Sequence, residues 1–142
     1  MAMKINELMI GDWVNYSILN LNAKVFSILG NHTIGIQFVD KNNKIEAIHG
    51  LLEETIIPIP LTEEILVKNG FEKQEDVNEW SYYKTKDGKG QYMILWSMDY
   101  NYLEIGSYTD EFGEFNRLGT MRYVHQLQQA LRLCGIEKEI EL

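Results

Sequence analysis

Only one cysteine, Cys134, occurs in this chain of 142 residues, so no disulfide can form within it and the fold must be held by burial. A chain of this length buries about 70% of the surface its unfolded form exposes, enough for a core without a covalent staple. Prolines number two, Pro58 and Pro60; they disfavour helix at Ile57 and Ile59 and mark one break in an otherwise uninterrupted chain. Long apolar runs are missing: none approaches the roughly 20 residues of a membrane helix. Residues 1–12 also lack the basic start and apolar centre of an export signal. The chain therefore reads as cytoplasmic, with no membrane partner. A basic stripe is missing as well. Net charge is −8, and the acid excess lies late: residues 1–57 carry four lysines and six acids, residues 58–142 nine Lys or Arg and fifteen acids. A protein that neutralises phosphates needs clustered cations, so direct nucleic-acid binding is not expected.

The common catalytic signatures are absent too. There is no P-loop, no G-x-S-x-G and no G-x-G-x-x-G at a strand-to-helix junction, and Ser81, Ser97 and Ser107 fall within predicted strands. His125 has no second His or Cys at helical spacing, and His32 and His49 sit in separate turns, so no metal centre is assigned. Asp110, Glu111 and Glu114 lack the alternating oxygen ligands of a calcium loop, and Asp40-x-Asn42-x-Lys44 places a cation where a ligand belongs. No cofactor and no catalytic residue follow from the sequence, and the expected protein is not an enzyme.

What is present is one clear helical period. Met121, Val124, Leu127, Leu131 and Cys134 recur at spacings of three and four, with Ala130 widening the stripe and Arg122, Gln126, Gln129 and Arg132 opposite. Gly119-Thr120 as entry and Gly135 as exit predict a helix over 120–134. Such a helix is marginal alone and must lie on a sheet.

The remainder reads mostly as strands. Trp13–Tyr16, Lys24–Leu29, the alternating Thr33–Val39, Lys44–Ile48 and Leu51–Ile57 give five in under sixty residues, with breaks at Gly30-Asn31, Asn42-Asn43 and His49-Gly50. They predict an SH3-like small sheet or barrel over 1–58. A short helix follows, capped by Thr62, with Glu63 and Glu64 in its first turn and Gly70 at its end. Residues 59–142 then form an α+β lobe: three antiparallel strands near 79–86, 90–98 and 101–109, an acidic turn at 110–114, and the closing helix. The tail 137–142 reads either as an edge strand or as a frayed end. The fold class is α+β.

Two hairpin registers compete at Asp87-Gly88. A two-residue turn sets Tyr83 opposite Tyr92 and splits the aromatics between faces; a three-residue loop sets Tyr82 opposite Tyr92 and gathers Trp80, Tyr82, Tyr92 and Trp96 on one face.

The segments Ile10–Val14 (IGDWV), Ile59–Phe71 (IPLTEEILVKNGF) and Arg122–Glu137 (RYVHQLQQALRLCGIE) resemble, in this order along nearly the whole chain, a widespread group of short proteins from gut anaerobes and their phages or mobile elements. The group's usual ending is more aromatic than Gln129-Ala130-Leu131-Arg132. The resemblance implies a phage-like genomic setting and carries no activity with it.

Three functional readings follow. The first is a small non-enzymatic interaction protein whose partner is another protein, bound through Trp80, Tyr82, Tyr92 and Trp96 with Tyr123 and His125 as further contacts; three Trp and eight Tyr are many for an acidic chain. The same rings could instead fill a core. The second is an acidic nucleic-acid mimic, which requires Glu104, Asp110, Glu111 and Glu114 on one exposed face. The third is an enzyme built on His125, which requires a cleft and a titratable partner. An exposed apolar helix face or an unpaired edge strand would point to a homo-oligomer.

Overall fold

The computed structural model describes residues 3–30, 32–73, 81–86, 91–98, 102–109, 114–133, 135 and 138–142, and side chains outside 73–120. The protein is α+β, and the chain divides into two compact units: Met1–Pro60 with Tyr123–His125, and Leu61–Arg122 with Gln126–Leu142.

In the first unit, strand alternation builds an antiparallel sheet of β1 (Trp13–Tyr16), β2 (Leu21–Leu29), β3 (Thr33–Val39), β4 (Ile45–Leu52) and β5 (Ile56–Ile57), in the order β4-β3-β2-β1-β5. Every second residue faces a core of Val14, Ala23, Val25, Ile34, Ile36, Leu51 and Ile56, to which Met3 and Leu8 are added from the N-terminal arm. The β3–β4 turn forms because the Asp40 carboxylate accepts the Asn42 and Lys44 amides, and Asn43 takes a left-handed φ of 63°. Ile34, Ile36 and Phe38 face inward as the alternation requires.

Two expectations are corrected here. The sheet is open: among the described residues no pairing joins β4 to β5, so the barrel does not close. His49-Gly50 does not end a strand. Gly50, at φ 68°, is accommodated as a bulge where the β3–β4 register shifts, so the segment expected at 44–48 continues through Leu51-Leu52 as β4, and the segment expected at 51–57 is divided by a 3-10 turn at Glu53–Thr55, its last two residues forming β5.

The second unit holds α1 (Glu63–Lys68), a sheet of β6 (Glu72–Lys73), β7 (Ser81–Lys86), β8 (Gln91–Met98), β9 (Tyr102–Thr109) and β10 (Glu114–Met121) in simple sequential order, and most of α2 (Val124–Leu133). The α1 helix is built as its sequence implies. Thr62 Oγ1 accepts the Ile65 amide, Glu63 and Glu64 occupy the positive end, and Gly70 at φ 84° turns the chain so that the Phe71 amide reaches the Leu66 carbonyl. Leu66 and Phe71 are both buried, as that motif's apolar contact requires.

The three-stranded meander is in fact five strands, because β6 and β10 flank it. Gly119 and Thr120 pair with Ile105 and Glu104 in β10, so α2 begins at Val124 and not at 120. Met121 belongs to the strand and is buried there. The helix keeps its stripe of Val124, Leu127, Ala130 and Leu131, and Gly135, at φ 70°, follows its end. Cys134, Asp87-Gly88 and residues 110–113 lie outside the described residues.

The tail is neither strand nor frayed end. Ile140 is buried, the Asn69 side chain clamps Glu141, and Lys68 Nζ donates to the Leu142 carbonyl.

Candidate functional site

Register sorts the second sheet into two faces. Both hairpin readings are superseded, because Tyr82 pairs with Trp96 and Lys86 with Tyr92, leaving a connection longer than either turn. Parity still follows from the pairs. Tyr92 stands beside Tyr108, which stands beside Phe115, and Tyr102 stands beside Met98. Six of the seven aromatic residues of β7–β10, namely Tyr82, Tyr92, Trp96, Tyr102, Tyr108 and Phe115, therefore occupy one face, and Tyr83 alone the other.

Two residues with described side chains identify the faces. Glu72 pairs with Lys84 on the aromatic face and is exposed; Met121 pairs with Leu103 on the opposite face and is buried. The face of Met121 carries Leu95, Leu103 and Ile105, the aliphatic set suited to lie under a helix. The aromatic face also carries Lys84, Lys86 and Arg117 against Glu72 and Glu104, so in an acidic chain its own charge is slightly positive. Gly106 is paired with Ile94 and Arg117 on the same face, two residues from Tyr108.

Of the residues the sequence gathers on one face, Tyr82, Tyr92 and Trp96 share a face by register, while Trp80 lies outside the described residues. Tyr102, Tyr108 and Phe115 join that face without having been expected there. The even spacing of Tyr102 and Tyr108 in one strand was available as a signal, whereas Phe115 needed β10, which the acidic stretch before it disguised as a turn.

Tyr123 and His125 belong to the first unit. Their rings stack, with centroids 5.9 Å apart and planes 13° from parallel. Tyr123 is fixed by a bridge to Pro60, and the Val124 amide donates to the Ile59 carbonyl. His125 is 2% exposed, and its Nδ1 is buried with no hydrogen-bond partner among the described residues. Burial lowers its proton affinity below the usual 6.5; the carboxylates of Asp12 and then Glu7 oppose that shift without overcoming it. The imidazole is enclosed by the protein in this conformation. Among the described residues no cluster of His, Cys, Asp or Glu could hold a metal ion, and no helix is long and apolar enough to cross a membrane.

A pH dependence follows. The unfolded chain binds a proton at His125 near pH 6.5, while the native chain binds it only at lower pH. Its contribution to stability is thus complete above about pH 6.5 and declines as pH falls from there through the folded value. Urea midpoints at pH 7.5 and 5.5 should differ less for His125→Phe than for the unaltered chain, with the variant's stability at pH 7.5 within about 1 kcal/mol because an unpartnered buried atom is removed. Equal differences in the two proteins would exclude His125 as a source of the acid sensitivity.

Comparisons with protein families, with curated proteins and with solved structures each find no match to this chain.

Proposed function

We propose that this chain is a small non-enzymatic binding protein of phage or mobile-element type, which takes a protein partner on the aromatic face of the β6–β10 sheet. The observation that supports the reading is the segregation of six aromatic residues to the face that carries exposed Glu72. An antiparallel sheet with helices to cover one side needs large apolar residues on that side only. Here the aliphatic positions of Leu95, Leu103, Ile105 and Met121 meet that need, and the rings stand on the other side. Aromatic residues with Met98 and Arg117 among them match the composition of protein interfaces, and three cations against two acids suit a partner with an acidic or neutral surface. Unit 1, in this reading, is an SH3-like sheet left open at β4 and β5.

The mimic reading gains less support. Glu104 stands on the aromatic face and Glu114 on the other, so these two acids do not align, and Asp110 and Glu111 lie outside the described residues. The enzyme reading would need His125 in a cleft, and His125 is enclosed.

The test is capture of a partner from host lysate by the tagged chain, with Trp96→Ala and Tyr92→Ala variants whose folding is verified by circular dichroism. A central aromatic anchor is worth 2 kcal/mol or more, so Trp96→Ala should weaken capture by about thirtyfold. A partner bound equally well by both variants would overturn the assignment of this face. Capture of nucleic acid in place of protein would overturn the assignment of the partner.

A further inference from the structure

Among the described residues no strand pairs with the outer edge of the first unit's sheet. β4 is the edge in the order β4-β3-β2-β1-β5, and eight residues, Ile45–Leu52, form it. Natural edges are guarded by lysines, prolines, short length, bulges or inward charges. β4 has one bulge, at Gly50, and one acid on the core side, Glu46, opposite Phe38. It holds no proline and no lysine. Ile45 is 70% exposed and Leu52 is 50% exposed, large aliphatics left in water at the two ends of the same strand.

The faces of β4 follow from its pairing with β3. Ile48 and Leu51 lie on the core side, where Leu51 is buried, while Ala47 stands opposite exposed Gln37 and Leu52 opposite Thr33 on the outer side. Ile45, opposite exposed Val39, is also outer, and so is His49, whose ring meets the edge of Phe26 at 5.0 Å. Gly50 is the extra residue of the bulge.

We infer that this edge pairs with the same edge of a second copy of the chain, antiparallel about a two-fold axis at Ile48, to give one continuous sheet of ten strands. With Gly50 left out as a bulge in each copy, this register sets Ile45 against Leu52 of the second copy, Glu46 against Leu51, Ala47 against His49, and Ile48 against Ile48. Outer residues meet outer residues and core-side residues meet core-side residues throughout, which a one-residue slip would destroy. Both exposed aliphatics are covered, each by the other. Lys44 just before the strand and exposed Glu54 in the 3-10 turn just after it lie at opposite ends of β4, so the two-fold axis brings opposite charges towards each other at both ends. A two-fold contact of this kind is self-complementary. The other edge, β5, is only two residues long, so growth stops at two copies and no filament propagates.

An eight-residue edge is about 26 Å long. A contact of that length buries less than the roughly 800 Å² per partner of a standard interface, so the dimer should depend on concentration.

Sedimentation equilibrium over a wide concentration range is the test, on the full chain. The unaltered protein should move from the mass of one chain towards that of two. Ile45→Lys, at a site already in water and so harmless to the fold, should raise the dissociation constant by at least about tenfold. Lys44→Glu should also raise it, and Lys44→Glu with Glu54→Lys should recover part of the loss. A chain that stays monomeric at every concentration overturns the inference. So does a dimer insensitive to Ile45→Lys, and a dimer lost with Trp96→Ala but not with Ile45→Lys would move the contact to the other sheet.

Discussion

Replacing Asn69 by Ala should lower the free energy of unfolding by about 2–4 kcal/mol, a large effect for a single polar side chain. Asn69 is 5% exposed and ends α1. Its Nδ2 donates to the Ile65 carbonyl at 2.8 Å and to the Glu141 carbonyl at 2.7 Å, and its Oδ1 accepts the Glu141 amide at 2.7 Å. One amide side chain thus satisfies both main-chain groups of a tail residue, next to buried Ile140. Alanine removes both bonds to the Glu141 main chain and one to the Ile65 carbonyl, which keeps the Asn69 amide, and it frees the tail that holds Ile140 in the core. Asn69→Asp should be at least as damaging, because it keeps the acceptor and turns an oxygen towards two carbonyls. Urea unfolding of the unaltered chain, the variant, a chain ending at Lys138 and the combination would separate the terms. In the shortened chain the Asn69→Ala cost should fall to about 1 kcal/mol or less, since two of the three bonds are already gone. An undiminished cost would show that Asn69 acts within α1 and not on the tail.

That clamp was invisible in the sequence for a physical reason. Local patterns report on residues within one element, and Asn69 and Glu141 are joined across 72 positions. Where a signal was local the reading held: the β3 alternation, the Thr62 cap and the Gly70 exit all form as written. Where two local signals competed, pairing decided. Gly119-Thr120 reads as a helix entry, but Glu104 and Ile105 offer a ladder to the same residues, and the strand extends to Met121. Gly50 reads as a stop, yet a bulge absorbs it without ending β4.

The candidate surface was legible in part for the same reason. Alternation within β8 places Tyr92 and Trp96 together from sequence alone. Which residues of β7, β9 and β10 join them depends on register, and register depends on loop lengths that Asp87-Gly88 misstates. The charge reading suffered likewise. No basic stripe exists along the chain, but Lys84, Lys86 and Arg117 come to one face from β7 and β10. Lys44 and Glu54, unremarkable in sequence, stand just outside the two ends of the β4 edge.

The second large effect is expected at Asp12, which the sequence marks only as half of a Gly-Asp turn. It is 0% exposed, its Oδ2 accepts the Met9 amide at 2.9 Å, and its own carbonyl accepts the Val25 amide at the head of β1. Asp12→Ala should cost about 2–4 kcal/mol at pH 7.5, because the Met9 amide loses a charge-assisted acceptor and the fully buried Asp12 site is left empty. Asp12→Asn keeps an acceptor and removes the charge, so it should cost roughly half as much. The two variants should nonetheless share one property. The Asp12 carboxylate raises the proton affinity of His125 against the stronger effect of burial. Without that charge the folded value falls further below 6.5, the native chain resists protonation more, and stability drops more steeply as pH falls below 6.5. Urea midpoints from pH 7.5 to 5 should therefore diverge from those of the unaltered chain in both variants, and His125→Phe placed in either background should remove the divergence. If it persists without the imidazole, Asp12 acts through the β1 turn alone, and the coupling across the first unit's core is absent.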